Sequence, residues 1–270
     1  MKRYTQPWMI AFALIASFVL PACSKMREYI EQHPSAVSKY CRIDSLTVKG
    51  DGPTASYQFS YNDAGNPVAM KFVAPPDDLF GFDLHFRYDK KGWLSDNMQT
   101  SPGQTFVFLW HRYSYPSPNV VIDSLYEYGG NIGDANPPND PGVPKLMHKL
   151  LLDQYGRIVK ILSYNPDLTT ELSYDKNGNL IIAGVFYDDK VNVYQTNKVW
   201  QFINSNYSRN NPTSPPPGTV GGPLESTPAA YNAYGLPTKL LGPFQGIFGL
   251  LYNELDVSYS CDVPSVKSPF

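Results

Sequence analysis

The first residues with an assignable chemistry are those that lead to Cys23, where a thiol follows a short apolar segment. Lys2 and Arg3 give a basic start, and the apolar run Trp8–Leu20 follows them. This run is too short to cross a bilayer as a helix, which needs about 20 residues, but it has the length of the apolar part of a secretory signal. We therefore expect residues 1–22 to be a signal peptide that is removed.

Leu20, Ala22 and Cys23 resemble the bacterial lipobox, in which an aliphatic residue and small residues precede a cysteine. The resemblance implies that the Cys23 thiol takes a diacylglycerol and that several acyl chains hold the protein on a membrane. Ser24 stands where an Asp would direct retention, and residues 25–28 lack an acidic cluster, so we expect a periplasm-facing outer-membrane lipoprotein. The alternatives are soluble secretion after cleavage at Ala22 and an uncleaved anchor.

Cys41 and Cys261 are the two thiols that remain once Cys23 is acylated, in a compartment where disulfides form. Cys41 begins an early strand-like run, and Cys261 ends the last one. Antiparallel pairing of these runs would bring the two thiols together and allow a disulfide. Two separate buried thiols are the alternative.

Several carboxylates could bind a cation, but their spacing favours structural roles. The segment 175–179 alternates Asp and Asn like a calcium loop, yet its Gly is fourth instead of sixth and Phe186 stands at the twelfth position. A hairpin turn explains the same residues without a metal. The acidic pairs Asp77–Asp78 and Asp188–Asp189 are typical of exposed loops, with calcium binding as the alternative.

The four histidines, His33, His85, His111 and His148, lack the close spacing of a zinc-binding helix. His85 and His111 each precede a turn by a similar distance, so we expect them on neighbouring strands in structural roles. No serine-hydrolase elbow, zinc-protease helix, P-loop or dinucleotide-binding glycine motif is present in the sequence. The sequence thus predicts no enzyme activity, cofactor or metal.

The composition favours strands and turns over helices. The chain has 20 Tyr, 14 Phe and 25 Pro among 270 residues; aromatic side chains suit pleated, half-buried surfaces, and Pro interrupts helices. A net charge of −2 and the lack of a long basic run argue against nucleic acid as a partner.

Five segments share one pattern: an apolar residue, usually Tyr, then Asp or Asn, two variable residues and Gly. An Asp or Asn side chain accepts a hydrogen bond from the backbone two residues on, and Gly takes a positive φ without a Cβ clash. Each copy therefore predicts a hairpin turn between two strands. The turn residues are Asn62 and Gly65, Asp89 and Gly92, Asp153 and Gly156, Asp175 and Gly178, and Asn232 and Gly235.

A sixth, degenerate copy spans Tyr115–Asn119, where Asn119 is expected to replace Gly at positive φ. The steps from Asn62 to Asp89 and from Asp89 to Pro116 are both 27 residues, which supports this copy.

These copies resemble the tyrosine-aspartate (YD) repeats of Rhs-type and teneurin-type surface proteins, and more closely the YD-like lipoproteins of Bacteroidota, a family with no assigned reaction. The pattern extends from Tyr57 to Leu241. The resemblance implies an all-β fold, an antiparallel meander of hairpins. Because five or six copies are too few to enclose a cargo, we expect a curved sheet or partly closed barrel.

Around the turns, Tyr57, Phe59 and Tyr61 alternate with polar residues, as in a strand with one buried face. Residues 198–205 predict a short helix that covers one sheet edge, with a buried strand as the alternative. Residues 26–32 predict another helical turn.

The sequence divides into four parts with two Pro-rich insertions, which we expect to be exposed loops. These parts are the signal peptide 1–22, the lipidated tether 23–40, a single β domain 41–261 with loops at 129–145 and 207–228, and the tail 262–270.

The leading functional hypothesis is a non-enzymatic binding or scaffold module in the cell envelope, whose protein partner adds to a sheet edge or docks on an aromatic face. The second is glycan binding through Trp93, Trp110 and Trp200, for which core packing is the alternative. The third is an unrecognised glycan hydrolase, in which Asp77 or Asp188 would meet another acid in a cleft.

Overall fold

The protein is described from a computed structural model that covers residues 41–50, 54–73, 81–137, 146–163, 168–183, 185–213, 227–242, 250 and 253–261. The lipidation site Cys23, the helical turn predicted over 26–32, and the acidic pair Asp77–Asp78 lie outside the described residues.

Strands dominate the described ranges, which also hold two 3₁₀ turns, Val193–Thr196 and Lys198–Trp200, and one short α-helix, α1 (Gln201–Asn204). The strands are β1 (Cys41–Lys49), β2 (Ala55–Tyr61), β3 (Pro67–Phe72), β4 (Asp83–Tyr88), β5 (Leu94–Thr100), β6 (Val107–Ser117), β7 (Val120–Glu127), β8 (Leu146–Leu152), β9 (Ile158–Ser163), β10 (Thr169–Glu171), β11 (Tyr187–Val191), β12 (Asn210–Pro212), β13 (Thr227–Tyr231), β14 (Pro237–Leu241) and β15 (Glu254–Cys261).

One antiparallel sheet of thirteen strands forms the body of the molecule. Its order is β10-β9-β8-β7-β6-β5-β4-β3-β2-β1-β15-β14-β13, so each strand from β1 to β10 pairs with the next in sequence. Within the described ranges, β10 and β13 are the two open edges, and the sheet does not close. The predicted all-β meander is therefore confirmed, in the form of an open sheet.

The predicted period of two is confirmed in β2. Tyr57 and Phe59 are buried, whereas Gln58 and Ser60 are exposed. Apolar side chains on one face of such a strand are removed from water, and this burial is the main favourable contribution to folding.

The sheet is strongly curved. Strands β2 and β9 are seven positions apart, or about 34 Å in a flat sheet with strands spaced at about 4.8 Å. Yet the Phe59 ring of β2 lies 5.8 Å from the Trp200 ring, and the Ile158 amide of β9 donates to Gln201 Oε1 at 3.1 Å. Adjacent residues of one helical turn therefore contact both strands, which requires the sheet to wrap around them.

We call Tyr187–Pro212 the inner segment. It contains β11, both 3₁₀ turns, α1 and β12, and most of its middle is buried against the concave face of the sheet. The helical prediction for 198–205 is correct in type, but its position over a sheet edge is wrong. Trp200 is fully buried with its ring edge-on to Phe59 and Phe86, so this segment fills the centre of the concave face.

The exposed loop predicted over 207–228 is wrong for its first residues. Tyr207, Ser208 and Asn211 are buried, and β12 pairs with β11. The reason is that amide and hydroxyl side chains replace backbone partners here: Asn211 Nδ2 donates to the Val191 carbonyl, and Ser208 Oγ accepts from the Leu180 amide. The other loop, over its described part 129–137, is largely exposed and is tied to the convex face by Arg87 and Arg112.

The repeat tyrosines join neighbouring hairpins. Tyr88 donates its hydroxyl to the Pro67 carbonyl at 2.7 Å, and Tyr115 donates to the Leu94 carbonyl at 2.9 Å. In both cases the acceptor lies two residues after the glycine of the preceding turn. Burial raises the pKa of Tyr88 well above its usual value, so the hydroxyl keeps the proton that it donates.

The first and last strands meet in a seam. β1 and β15 pair antiparallel, with Cys41 opposite Cys261 and Ile43 opposite Tyr259. The two cysteines form a disulfide that links positions 220 residues apart in sequence.

Candidate functional site

All five repeat turns have the same hydrogen-bond geometry. In the turn that begins at Asp89, Oδ1 accepts from the Lys91 and Trp93 amides at 2.8 and 2.9 Å, and the Gly92 amide donates to the Asp89 carbonyl. The other four turns repeat these bonds from their own Asp or Asn. The five glycines have φ between +75° and +87°, which a residue with a Cβ adopts only with strain.

The five turns lie on the same rim of the sheet. In an antiparallel meander, every second connection returns to the same end, and the turns after β2, β4, β8 and β13 follow strands that run in one direction. The turn at Asp175 follows β10, which runs in that direction too. We call this end of the sheet the turn rim.

The inner segment caps four of the five turns. A donor from this segment reaches the glycine carbonyl of each: Asn197 Nδ2 to Gly65 at 3.3 Å, Gln201 Nε2 to Gly156 at 3.0 Å, Arg209 N to Gly178 at 3.1 Å, and Val191 N to Gly235 at 3.2 Å. The remaining glycine, Gly92, receives no such bond from any described residue. A gap in the capping pattern therefore lies at the Asp89 turn.

A cleft of about 620 Å³ opens at this gap. Its walls are the turns themselves, and its floor is the middle of the inner segment. Its lining includes Gly92, Trp93, Tyr115, Pro118, Lys198 and Phe202.

Trp93 gives the cleft an aromatic wall. Trp93 is 38% exposed, whereas Trp110 and Trp200 are fully buried. The Trp93 ring centroid is 4.7 Å from that of Tyr115, and Lys91 Nζ lies 5.0 Å from the Trp93 ring. Of the three tryptophans considered for ligand stacking, the structure thus leaves one at a solvent-accessible site and packs the other two in the core.

The cleft has a weakly positive character. Among the lining residues that the structure describes, Lys198 is the one charged side chain, and none is Asp or Glu. Burial raises the pKa of Tyr115 well above its usual value, so this phenol stays neutral. The cleft therefore suits a neutral or anionic ligand.

The structure separates the two histidines that were expected on neighbouring strands. β5 lies between β4 and β6, and the register places His85 opposite Met98 and His111 opposite Asn97. The expectation is wrong because each repeat contains two strands. Equivalent residues of consecutive repeats are therefore separated by one intervening strand. No group of three His, Cys, Asp or Glu side chains that could hold a metal ion occurs in the described part of the chain.

The acidic candidates have structural partners. Asp175 Oδ1 accepts from the Asn177 and Asn179 amides, as expected of a hairpin turn. Asp188 Oδ1 accepts from the Lys190 and Asn211 amides at 3.0 Å, and its other oxygen accepts from the Tyr231 hydroxyl.

The degenerate sixth copy forms a turn of a different kind. Pro118 and Asn119 connect β6 and β7, with Ser117 opposite Val120. The expectation of a positive φ at Asn119 is wrong, because the non-glycine residues with positive φ in the described ranges are Tyr128 and Ser205. A two-residue connection leaves no room for the longer Asx turn of the other copies.

Sequence reasoning missed the polar residues of the inner segment. Asn197 and Gln201 are buried and cap the turns, although amide side chains are mostly exposed in proteins. The one available signal is their position within the apolar cluster around Val199 and Trp200, which implies burial for its polar neighbours.

A scan against models of known protein families and a search of curated proteins both give no match for the chain. Among the described residues, no helix is long and apolar enough to span a membrane.

Proposed function

We propose that this protein is a non-enzymatic binding module of the cell envelope, tethered to the outer membrane by lipid on Cys23 and facing the periplasm, with the cleft at the turn rim as its ligand site. The anchor rests on the lipobox-like residues before Cys23. The proposal includes membership of the YD-like lipoproteins of Bacteroidota, which the repeat turns resemble.

The observation that carries the proposal is the uncapped turn at Gly92. Four turn glycines present their carbonyls to donors of the inner segment, and the fifth borders the cleft. A ligand N–H or O–H group at this position would complete the pattern that the protein completes itself elsewhere. The neighbouring Trp93, which is partly exposed, borders the same position and would contact the ligand.

The proposal is tested by photo-crosslinking in a double-membraned bacterium that expresses the tagged full-length protein. The crosslinker p-benzoylphenylalanine replaces Pro118, which is exposed on the cleft wall, or Gln58, which is exposed on the opposite face of the sheet as the matched control. We expect a defined envelope component to be captured from position 118 and not from position 58.

Equal capture from both positions, or none from position 118, would refute the cleft as the ligand site. Mass spectrometry of the N-terminal peptide from the same sample tests the anchor independently. An unmodified Cys23 would refute the lipid tether while leaving the crosslinking result intact.

Trp93 favours glycan binding as the second candidate function. Sugar rings stack their C–H faces on exposed aromatic rings, and hydroxyl groups are suitable donors to the Gly92 carbonyl. We expect soluble muropeptides to change the tryptophan fluorescence of the native protein and not that of Trp93→Ala. Trp110 and Trp200 serve as the constant background because both are fully buried. An unchanged native spectrum across the titration would count against this candidate.

A further inference from the structure

The cleft at the turn rim is long enough to take an extended ligand. It spans four consecutive hairpin turns, those after β2, β4, β6 and β8, which contribute Gly65, Gly92, Pro118 and Gly156 to its lining. Lys198 Nζ lies at the last of these turns, 3.8 Å from the position that a Cβ on Gly156 would take. In a flat sheet the turns of Gly92 and Gly156 would be four strand positions, or about 19 Å, apart, and the curvature of the sheet shortens this distance. A ligand that reaches both turns must therefore be elongated.

Most polar side chains of the cleft are already engaged within the protein. Asn197 uses both the nitrogen and the oxygen of its side-chain amide on backbone groups, and so does Gln201. The Tyr115 hydroxyl donates to the Leu94 carbonyl. A sugar ring, which carries hydroxyl groups on most of its carbons, would find few free partners among these side chains.

The groups that stay free are mainly donors. In the described part of the chain, no hydrogen bond or ion pair engages the side chains of Lys198, Asn66 or Trp93, all of which line the cleft. The Lys198 ammonium and the Trp93 indole N–H can only donate, whereas the Gly92 carbonyl can only accept. These groups match a ligand that carries carbonyl oxygens, at least one N–H and a negative charge.

Apolar side chains complete the lining. Leu152, Val199 and Phe202 border the cleft, so a ligand with apolar side chains removes additional surface from water when it binds. The cleft volume of about 620 Å³ lies within the roughly 300 to 1,000 Å³ of small-ligand sites, which limits the occupant to a short segment.

We propose that the cleft binds the C-terminal end of an extended peptide whose last side chains are apolar. The terminal carboxylate pairs with Lys198, a backbone N–H of the peptide donates to the Gly92 carbonyl, and the peptide side chains contact Leu152 and Phe202. A carboxylate is the charged group that complements the one charge of the lining, and a peptide backbone supplies both donors and acceptors along its length. This inference rests on the function proposed for the cleft and names the class of its ligand.

The test is isothermal titration calorimetry of the full-length protein in lauryldimethylamine oxide. The probes are N-acetyl-alanyl-alanyl-alanyl-leucine and its C-terminal amide, which differ in the terminal charge alone. We expect the native protein to bind the carboxylate about tenfold more tightly than the amide at low salt, the effect typical of a hydrogen bond to a charged group. The preference should shrink in 1 M NaCl, where the Debye length is about 3 Å.

Replacing Lys198 isolates the role of its charge. Lys198→Met keeps the aliphatic part of the side chain, and we expect it to bind both peptides with the affinity that the native protein has for the amide. Retained binding of the amide shows that the cleft of this variant is intact. Lys176→Met, at an exposed position of the Asp175 turn, is the matched control and should keep the preference for the carboxylate.

Equal affinity of the native protein for the two peptides, or an unchanged preference in Lys198→Met, would overturn the proposal. Failure of both peptides to bind would overturn it too, and so would binding that Trp93→Ala leaves unchanged, because the peptide would then lie elsewhere. In each of these cases, capture from position 118 still decides separately whether the cleft is a ligand site.

Discussion

The Asp or Asn that opens each repeat turn holds the turn together with a single side-chain oxygen. Asn232 Oδ1, for example, accepts from the Tyr234 and Leu236 amides at 2.9 and 3.0 Å. These two bonds satisfy backbone amides that, within the turn, have no partner on a neighbouring strand. Gly235 supplies the positive φ that closes the turn. The sequence pattern could predict these turns because every bond in them is local.

Replacing Gly92 by Ala tests whether the positive φ of the turn glycine disfavours a residue with a Cβ. A Cβ at Gly92 would meet nothing within 4 Å, so the expected cost comes from its φ of +79° alone. We expect Gly92→Ala to lower the free energy of unfolding by about 1 to 2 kcal/mol, measured by urea denaturation.

Gly133→Ala is the matched control, because Gly133 also has open space around its Cβ position but no positive φ. There the change should be neutral or stabilise by less than about 1 kcal/mol, because Ala restricts the unfolded chain. Equal destabilisation by both variants would contradict the conformational argument.

Glu254 gives the protein an acid-sensitive contribution to stability. Its Oε1 lies 2.5 Å from Lys239 Nζ and 2.6 Å from Lys49 Nζ. The hydrogen bond from Lys239, followed by that from Lys49, lowers the pKa of Glu254 from 4.5 to about 2. Because the folded-state pKa is below the unfolded one, this stabilisation is present above about pH 4.5 and is lost as the pH falls towards 2.

We therefore expect the native protein to lose more stability between pH 4.5 and 2 than Glu254→Gln, as measured by urea midpoints at each pH. This difference between the two proteins should shrink in 1 M NaCl, because the Debye length there is about 3 Å and attractions between exposed charges are weakened. Glu127→Gln is the control, because Glu127 has no ion-pair partner among the described residues. Identical pH profiles for native protein and Glu254→Gln would refute the role of this ion cluster.

At the scale of elements, strands and inner segment differ in how far the sequence predicts them. Alternation and turn residues predict β2 to β9 well, since the information for a hairpin lies within a few residues. The inner segment depends on contacts between distant residues, such as Gln201 with Gly156, and its buried Asn and Ser residues have the composition of a loop. For the same reason the sequence could suggest Trp93 as a ligand platform, but not the uncapped Gly92 beside it.

Replacement of Gln201 tests whether the inner segment stabilises the turn rim. Its Oε1 accepts from the Ile158 amide at 3.1 Å, and its Nε2 donates to the Gly156 carbonyl at 3.0 Å. Gln201→Leu keeps the side-chain size but leaves both backbone groups without a partner, so we expect a loss of about 2 to 4 kcal/mol in the free energy of unfolding. Urea denaturation followed by tryptophan fluorescence measures it.

Gln154→Leu, at an exposed position of the same turn, is the control and should change stability by less than about 0.5 kcal/mol. A Gln201→Leu variant as stable as this control would show that the inner segment does not stabilise the turn rim through Gln201.

The whole molecule is held together by a seam between its two chain ends. Ten strands follow one another from β1 to β10, whereas β15 returns to pair with β1 on the other side. Such pairing between distant segments forms only after a large loop has closed, at a cost in chain entropy. The sequence could predict the seam because its first and last apolar runs each have a cysteine at the matching end.

The disulfide between Cys41 and Cys261 should therefore contribute to the stability of the entire sheet. Since it links positions 220 residues apart, the chain-entropy model gives a stabilisation of about 5 kcal/mol. We expect the reductant TCEP to lower the urea midpoint of the native protein towards that of the double variant Cys41→Ala, Cys261→Ala. The double variant itself should not respond to TCEP, and this controls for effects of the reductant elsewhere in the chain. A native protein whose midpoint is the same with and without TCEP would show that β-strand pairing alone holds the seam.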